Sequence, residues 1–159
     1  MEDVSGAVKA SEMVVAATPS DHPYPASRLS NLGVWLGRRY ERIGSVDDLN
    51  RAVDVASMAV EVTPSDHPDR AGRLSGLGNL FGRRFEQTRS MDDLNRAIEI
   101  TSMAVEATPL NHPDRAGRMS GLANPFATRF KWTRAMEDLS HAVEIAEMAV
   151  AATPFDHPD

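Results

Sequence analysis

The chain contains no cysteine, which excludes disulfides and thiol chemistry and fits a reducing compartment. It has no excess of cations. Seventeen Lys and Arg face 23 Asp and Glu, for a net charge of −6. Phosphate backbones are held by clustered Lys and Arg that outweigh the acids, so no nucleic-acid partner is expected. No apolar run approaches the ~18 residues of a membrane span. The opening residues Met1-Glu2-Asp3-Val4 are acidic, where a secretory leader would be basic and then apolar. The expectation is a soluble, cytoplasmic protein with no membrane partner. No stretch alternates for long with period 2, so strands are poorly supported. No Ser, His and Asp arrangement marks a nucleophile with its base, and Gly76-Leu77-Gly78 lacks the Gly-Lys that a phosphate loop requires. Neither an enzyme nor a cofactor is expected.

What the chain has is internal repetition. Thr18-Pro19, Thr63-Pro64, Thr108-Pro109 and Thr153-Pro154 stand 45 residues apart, as do His22, His67, His112 and His157. Met13, Met58, Met103 and Met148 follow the same period, and 65–109 matches 110–154 at 28 of 45 positions. A period of this length means one supersecondary unit per repeat, stacked into a solenoid. In the middle copy Leu74, Leu77, Gly78, Phe81 and Phe85 mark one face of a first helix, A. Leu94, Ala97, Ile98, Thr101, Ala104 and Val105 mark one face of a second, B. Ser90 before Asp92 and Asp93 reads as an N-cap with acids in the first turn, and Pro68 suits the first turn of helix A. Gly78, Gly82, Ser75, Ala97 and Ala104 read as positions where helix axes approach closely. The predicted helices span 4–17, 24–43, 46–62, 69–88, 91–107, 114–133 and 136–152.

Three recurring side-chain types could carry chemistry. The four histidines fall in equivalent places of stacked repeats, on the order of 20 Å apart given ~8–10 Å per helix contact. Metal ligands must converge, so no metal site is expected and each His-Pro is read as shaping a linker and helix start. The acidic pairs Asp47-Asp48, Asp92-Asp93 and Glu137-Asp138 sit at helix starts, where the macrodipole accounts for them. His141, in place of Arg51 and Arg96, reads as a surface substitution. Arg28, Arg73 and Arg118 recur on helix A, as do Arg39, Arg84 and Arg129, toward the helix C-terminus where cations suit the dipole. Stepping 100° per residue, the side of helix A opposite the apolar stripe carries Asn31, Val34 and Arg38 in the first copy. It carries Asn79 and Arg83 in the second, and Asn124 and Thr128 in the third.

The set Leu74, Leu77-Gly78, Phe81, Ala97, Thr101, Ala104 and Pro109 resembles the tetratricopeptide repeat. Leu29, Leu32-Gly33, Leu36, Ala52, Ala56, Ala59 and Pro64 repeat it, as do Met119, Leu122-Ala123, Phe126, Ala142, Ala146, Ala149 and Pro154. The period of 45 exceeds the usual ~34, and such long variants look like the repeats of kinesin light chains and of large fungal proteins. In the latter the repeats accompany a nucleotide-binding signalling domain or a caspase-like domain of the CHAT type. HEAT or armadillo repeats share the period but not the Leu-Gly and Ala spacing. The resemblance implies an all-α, right-handed superhelical solenoid of antiparallel helix pairs that binds proteins or peptides, or a regulatory segment of a larger signalling protein. It also implies that Asn31, Val34, Arg38, Asn79, Arg83, Asn124 and Thr128 line a concave groove, where Asn can bond a peptide backbone and Arg an acidic group.

The resulting organisation is an orphan helix B in 1–19, repeats at 20–64, 65–109 and 110–154, and a truncated linker at 155–159. It reads as a piece of a longer array. Uncapped ends at Val15, Ile145 or Val150 are expected to favour end-to-end self-association. Pro125 inside helix A and Ala135 in place of a Ser cap make the third repeat the weakest on paper.

Overall fold

The computed structural model describes residues 3–19 and 25–152. Among them lie seven α-helices and no strand: α1 (Val4–Ala16), α2 (Pro25–Ile43), α3 (Val46–Glu61), α4 (Arg70–Thr88), α5 (Met91–Glu106), α6 (Arg115–Thr133) and α7 (Met136–Ala151). Each end falls within a residue of its predicted place. Helices α2, α4 and α6 are of type A, and α1, α3, α5 and α7 of type B. Every helix packs on its chain neighbours, and α4 also meets α6. The A helices therefore stand side by side along an inner wall, with the B helices behind them.

The apolar stripes meet as their periodicity demands. Val53 and Val60 of α3 close onto Leu74 and Leu77 of α4, together with Ala104 of α5. Val8 of α1 joins Leu32 and Leu36 of α2 and Ala52 of α3. Each such large side chain contributes about 1.5–3 kcal/mol on leaving water. Gly78 is a place of close approach between α4 and α5, since a Cβ there would lie 2.5 Å from Thr101 Cγ2. Gly82, expected at a packing contact, meets nothing within 4 Å and faces open space.

Local chemistry sets the helix ends. The hydroxyls of Ser45 and Ser90 accept from the Asp48 and Asp93 N–H groups at 3.3 and 3.4 Å, while Ala135 offers no such cap. Pro68 lies in a turn ahead of α4 rather than in its first helical turn. The His67 carbonyl accepts from Arg70 N–H at 2.9 Å and its Nδ1 from Asp69 N–H at 3.1 Å. His112 does the same for Asp114 N–H and Arg115 N–H. The repeated histidines thus shape the entry to helix A. His22 and His157 lie outside the described residues.

Two polar clasps recur that the dipole reading did not anticipate. Arg39, Arg84 and Arg129 grip the second acid of each pair, with Arg39 Nε 2.7 Å from Asp48, Arg84 Nη2 2.7 Å from Asp93 and Arg129 Nη2 2.6 Å from Asp138. Asp48, Asp93 and Asp138 are buried, while Asp47, Asp92 and Glu137 remain exposed where the dipole does account for them. The forked guanidinium bonds both carboxylate oxygens and ties the end of A to the start of B. These bonds hold Arg39 and Arg129 firmly charged and draw the Asp138 carboxyl below its ordinary range.

The second clasp joins B to the next A. Thr63 Oγ1 donates to the Ala59 carbonyl at 2.5 Å and accepts from Arg73 at 2.6 Å. Thr108 donates to Ala104 at 2.6 Å and accepts from Arg118 at 2.8 Å, and Arg28 donates to Thr18. Arg70 and Arg115 reach the Val60 and Val105 carbonyls at 3.1 Å, satisfying helix-end acceptors that have no partner within the helix.

Charge separates with the layers. Helices α2, α4 and α6 carry net charges of +3, +3 and +4, and α3, α5 and α7 carry −3, −3 and −4, whereas α1 is neutral. Two sequence expectations are corrected at single residues. His141 is no simple surface residue: its ring lies 5.1 Å from that of Phe126, and its Nδ1 is buried without a protein partner. Val15 and Ile145 are half-buried, and Val15 packs against the α1–α2 cluster. Val143 and Val150 are exposed on α7, as are Met136 and Met148.

Candidate concave binding groove

The inner wall is built from the sides of α2, α4 and α6 turned away from the B helices. Their apolar stripes are taken up by packing, so this side is left with Asn31, Val34 and Arg38 on α2, Asn79 and Arg83 on α4, and Asn124 and Thr128 on α6. Asn31, Val34, Arg38, Asn79 and Asn124 are exposed, and Arg83 and Thr128 half-buried.

Three concavities open along the wall. Between α2 and α4 lies one of about 330 Å³, bordered by Val34, Arg38, Glu41, Asn79 and Arg83 over a floor of Ala56, Leu77 and Leu80. Between α4 and α6 lies a second of about 560 Å³, bordered by Ser75, Asn79, Gly117, Arg118 and Gly121. A third of about 260 Å³ gathers Asn79, Gly82, Arg83, Asn124, Pro125 and Thr128. Asn79 and its neighbours thus come together, whereas Asn31 borders none of the three. The glycines at 76, 117 and 121 open the wall, because a Cβ at any of them would meet nothing within 4 Å.

The two groove arginines differ. Arg38 makes no ion pair among the described residues, and its guanidinium rests over the Trp35 ring, 4.8 Å from the centroid. Arg83 pairs with Glu41 across the first concavity. Sequence reasoning missed this link, because the partners stand 42 residues apart and meet only once α2 and α4 lie side by side. Arg73 is 9% exposed and bonds Thr63, Ser27 and Asp69. It is part of the scaffold. Among the described residues no group of three or more His, Asp or Glu side chains could hold a metal ion, and no helix is long and apolar enough to cross a membrane.

Comparisons with known proteins agree with this architecture. The tetratricopeptide repeat family matches residues 26–69, which cover α2, α3 and the turn that follows. A crystal structure of nearly identical, kinesin light chain-like TPR-like repeats from Podospora anserina aligns with a TM-score of 0.68 at 23% identity, over 98% of this chain and 71% of that one. A variant of the same protein, with one glutamine replaced by methionine, aligns with a TM-score of 0.67 at 23% identity, over 93% of this chain and 66% of that one. No curated protein matches the chain by sequence. At this identity the solved structures speak for the fold, a tetratricopeptide-like solenoid.

Proposed function

We propose that this tetratricopeptide-like array is an interaction scaffold that holds an extended or helical peptide along the inner wall, with an acidic group of that peptide at Arg38. Repeats of this family generally mediate protein–protein interaction. The observation that carries the finer reading is the shared border of the concavities. Asn79 faces all three, and Arg38 offers an exposed guanidinium already oriented by its stacking on Trp35. An Asn amide can donate to and accept from a peptide backbone, and an Arg fork can hold a carboxylate by two bonds.

Arg83 enters differently, because a ligand carboxylate there competes with Glu41. In a titration with labelled acidic peptides, Arg38→Ala is expected to weaken binding about tenfold or more, since a charge-assisted hydrogen bond contributes ~1.5–3 kcal/mol. Arg83→Ala is expected to cost less, and Glu41→Gln to strengthen binding. The control is Arg96→Ala on the outer layer, whose side chain is 61% exposed and pairs with Glu99. Equal losses at Arg38 and Arg96, or no loss at either, would discard the groove.

A further inference from the structure

Helix α7 bears a face whose counterparts are covered elsewhere in the molecule. Val53 and Val60 of α3 are 3% and 8% exposed beneath α4, whereas the same register positions on α7, Val143 and Val150, are 49% and 75% exposed. With Ala146 they line a shallow apolar concavity of about 460 Å³. On α3 and α5 the equivalent face is covered by the A helix that follows, α4 and α6. A second copy of the chain can supply an A helix for α7 only if one of its own B helices gives way.

Helix α1 packs on a single A helix, α2, and its Glu12 pairs with Arg51 of α3. It occupies α2 with Val8 and Val15, the same two register positions that α7 leaves open. Only Val4 and Val8 of α1 are buried, and its N-cap Asp3 makes no side-chain cap bond. Pro25 stands where Arg70 and Arg115 reach back to a carbonyl of the preceding B helix, so the α1–α2 junction keeps the Arg28–Thr18 bond but has no arginine at that second place. Charge points the same way. The +3 of α2 faces a neutral α1, whereas α4 faces −3 and α6 faces −3. Helix α7, at −4, is the better electrostatic match for α2.

We infer that α7 of one molecule displaces α1 from α2 of a second copy, joining copies head to tail. Val143 and Val150 then take the seats of Val8 and Val15 against Leu32 and Leu36, and the alternation of A and B helices continues across the joint. The joint is heterologous: it leaves an unused α7 at one end and a seated α1 at the other, so assembly is open-ended. Displacing α1 makes it concentration-dependent, since only the α1-released fraction can receive a partner.

Sedimentation velocity of the full chain over a wide concentration range tests this, and wild type is expected to pass from monomer to dimers and longer species. Val8→Asp loosens α1 without touching the joining surfaces and is expected to lower the half-association concentration about tenfold, with Val8→Ala intermediate. Val150→Asp lies on an exposed position, leaves the circular dichroism spectrum unchanged, and is expected to abolish assembly. The double variant Val8→Asp/Val150→Asp can receive a wild-type α7 but not pass the chain on. Added in excess to wild type, it is expected to reduce longer species to dimers. The inference is overturned if Val150→Asp associates like wild type, if Val8→Asp and Val8→Ala change nothing, or if the double variant is inert toward wild type, as a symmetric α7–α7 dimer would require.

Discussion

At the scale of single residues, the contacts between A and B helices are set by paired sizes. Gly78 faces Thr101, Gly33 faces Ala56, and Ala123 stands at the Gly78 place in the third copy, where the Thr101 place is Ala146. A methyl added at Gly78 would strike Thr101 Cγ2 at 2.5 Å, so Gly78→Ala is expected to cost about 1–3 kcal/mol. Thr101→Ala in the same chain should restore most of it. Denaturant titration of the double-mutant cycle measures this, and strictly additive effects would show that the two sites do not oppose each other. The buried Arg129–Asp138 pair makes a second prediction. Hydrogen bonds from Arg129, opposed by burial, lower the Asp138 carboxyl. Its contribution is therefore complete above the ordinary carboxylate range and fades as pH falls through the lowered folded value. Asp138→Asn is expected to lose roughly 2–3 kcal/mol at neutral pH, less than the ~3–5 of a fully buried pair, because Arg129 keeps 27% exposure. The gap to wild type should close as pH falls from the ordinary carboxylate range through the lowered folded value, and a gap constant with pH would rule the pair out as its source. The sequence did hold a sign of this clasp. Arg and Asp recur nine residues apart in every copy, while the first acid drifts from Asp to Glu. The dipole explains both acids equally well, and only the turn between A and B shows which of them is buried.

At the scale of elements, the sequence was almost fully legible. Helix boundaries follow from the 3.6-residue stripe and from caps, and both are local properties. Places where local cues fail are also informative. Helix α6 runs unbroken from Arg115 to Thr133 although Pro125 lies inside it, and it buries only Met119, Leu122 and Ala123. Its counterpart α4 buries Ala71, Leu74, Leu77, Gly78 and Phe85. Packing holds α6 together despite a residue that cannot donate to the Gly121 carbonyl, at a cost of ~3 kcal/mol in an ordinary helix. Ser45 and Ser90 cap α3 and α5, and Ala135 leaves α7 without that bond. The third pair is therefore expected to open first, with amides of 115–133 exchanging faster than those of 70–88. Ala135→Ser should recover ~1 kcal/mol and Pro125→Leu more, since Leu80 fills that place in α4. Equal exchange in the two helices would mean that packing has absorbed both defects.

At the scale of the whole molecule, the repeat was evident in the sequence but the segregation of charge was not. Runs of positive and negative residues alternate along the chain in blocks the length of a helix, and they cancel in any composition summary. Folding converts this alternation into layers, because every A helix goes to the inner wall and every B helix behind it. The net charge of −6 therefore conceals an inner layer whose helices are each positive. An acidic peptide approaching the inner wall first encounters helices of +3, +3 and +4, with the −3, −3 and −4 of the outer layer a helix diameter further away. At physiological ionic strength the Debye length is about 8 Å, shorter than the ~10 Å thickness of a helix layer, so the near layer dominates at contact. Opposite charges associate more slowly as salt rises, and like charges more quickly. For an acidic peptide and this anionic protein, stopped-flow association is expected to slow as salt is raised from about 0.05 to 0.5 M. Arg38→Ala should flatten that slope, whereas Arg96→Ala on the outer layer should leave it or steepen it. An association rate that rises with salt would mean that the peptide senses the molecule's net charge, and that the inner wall is not where it lands.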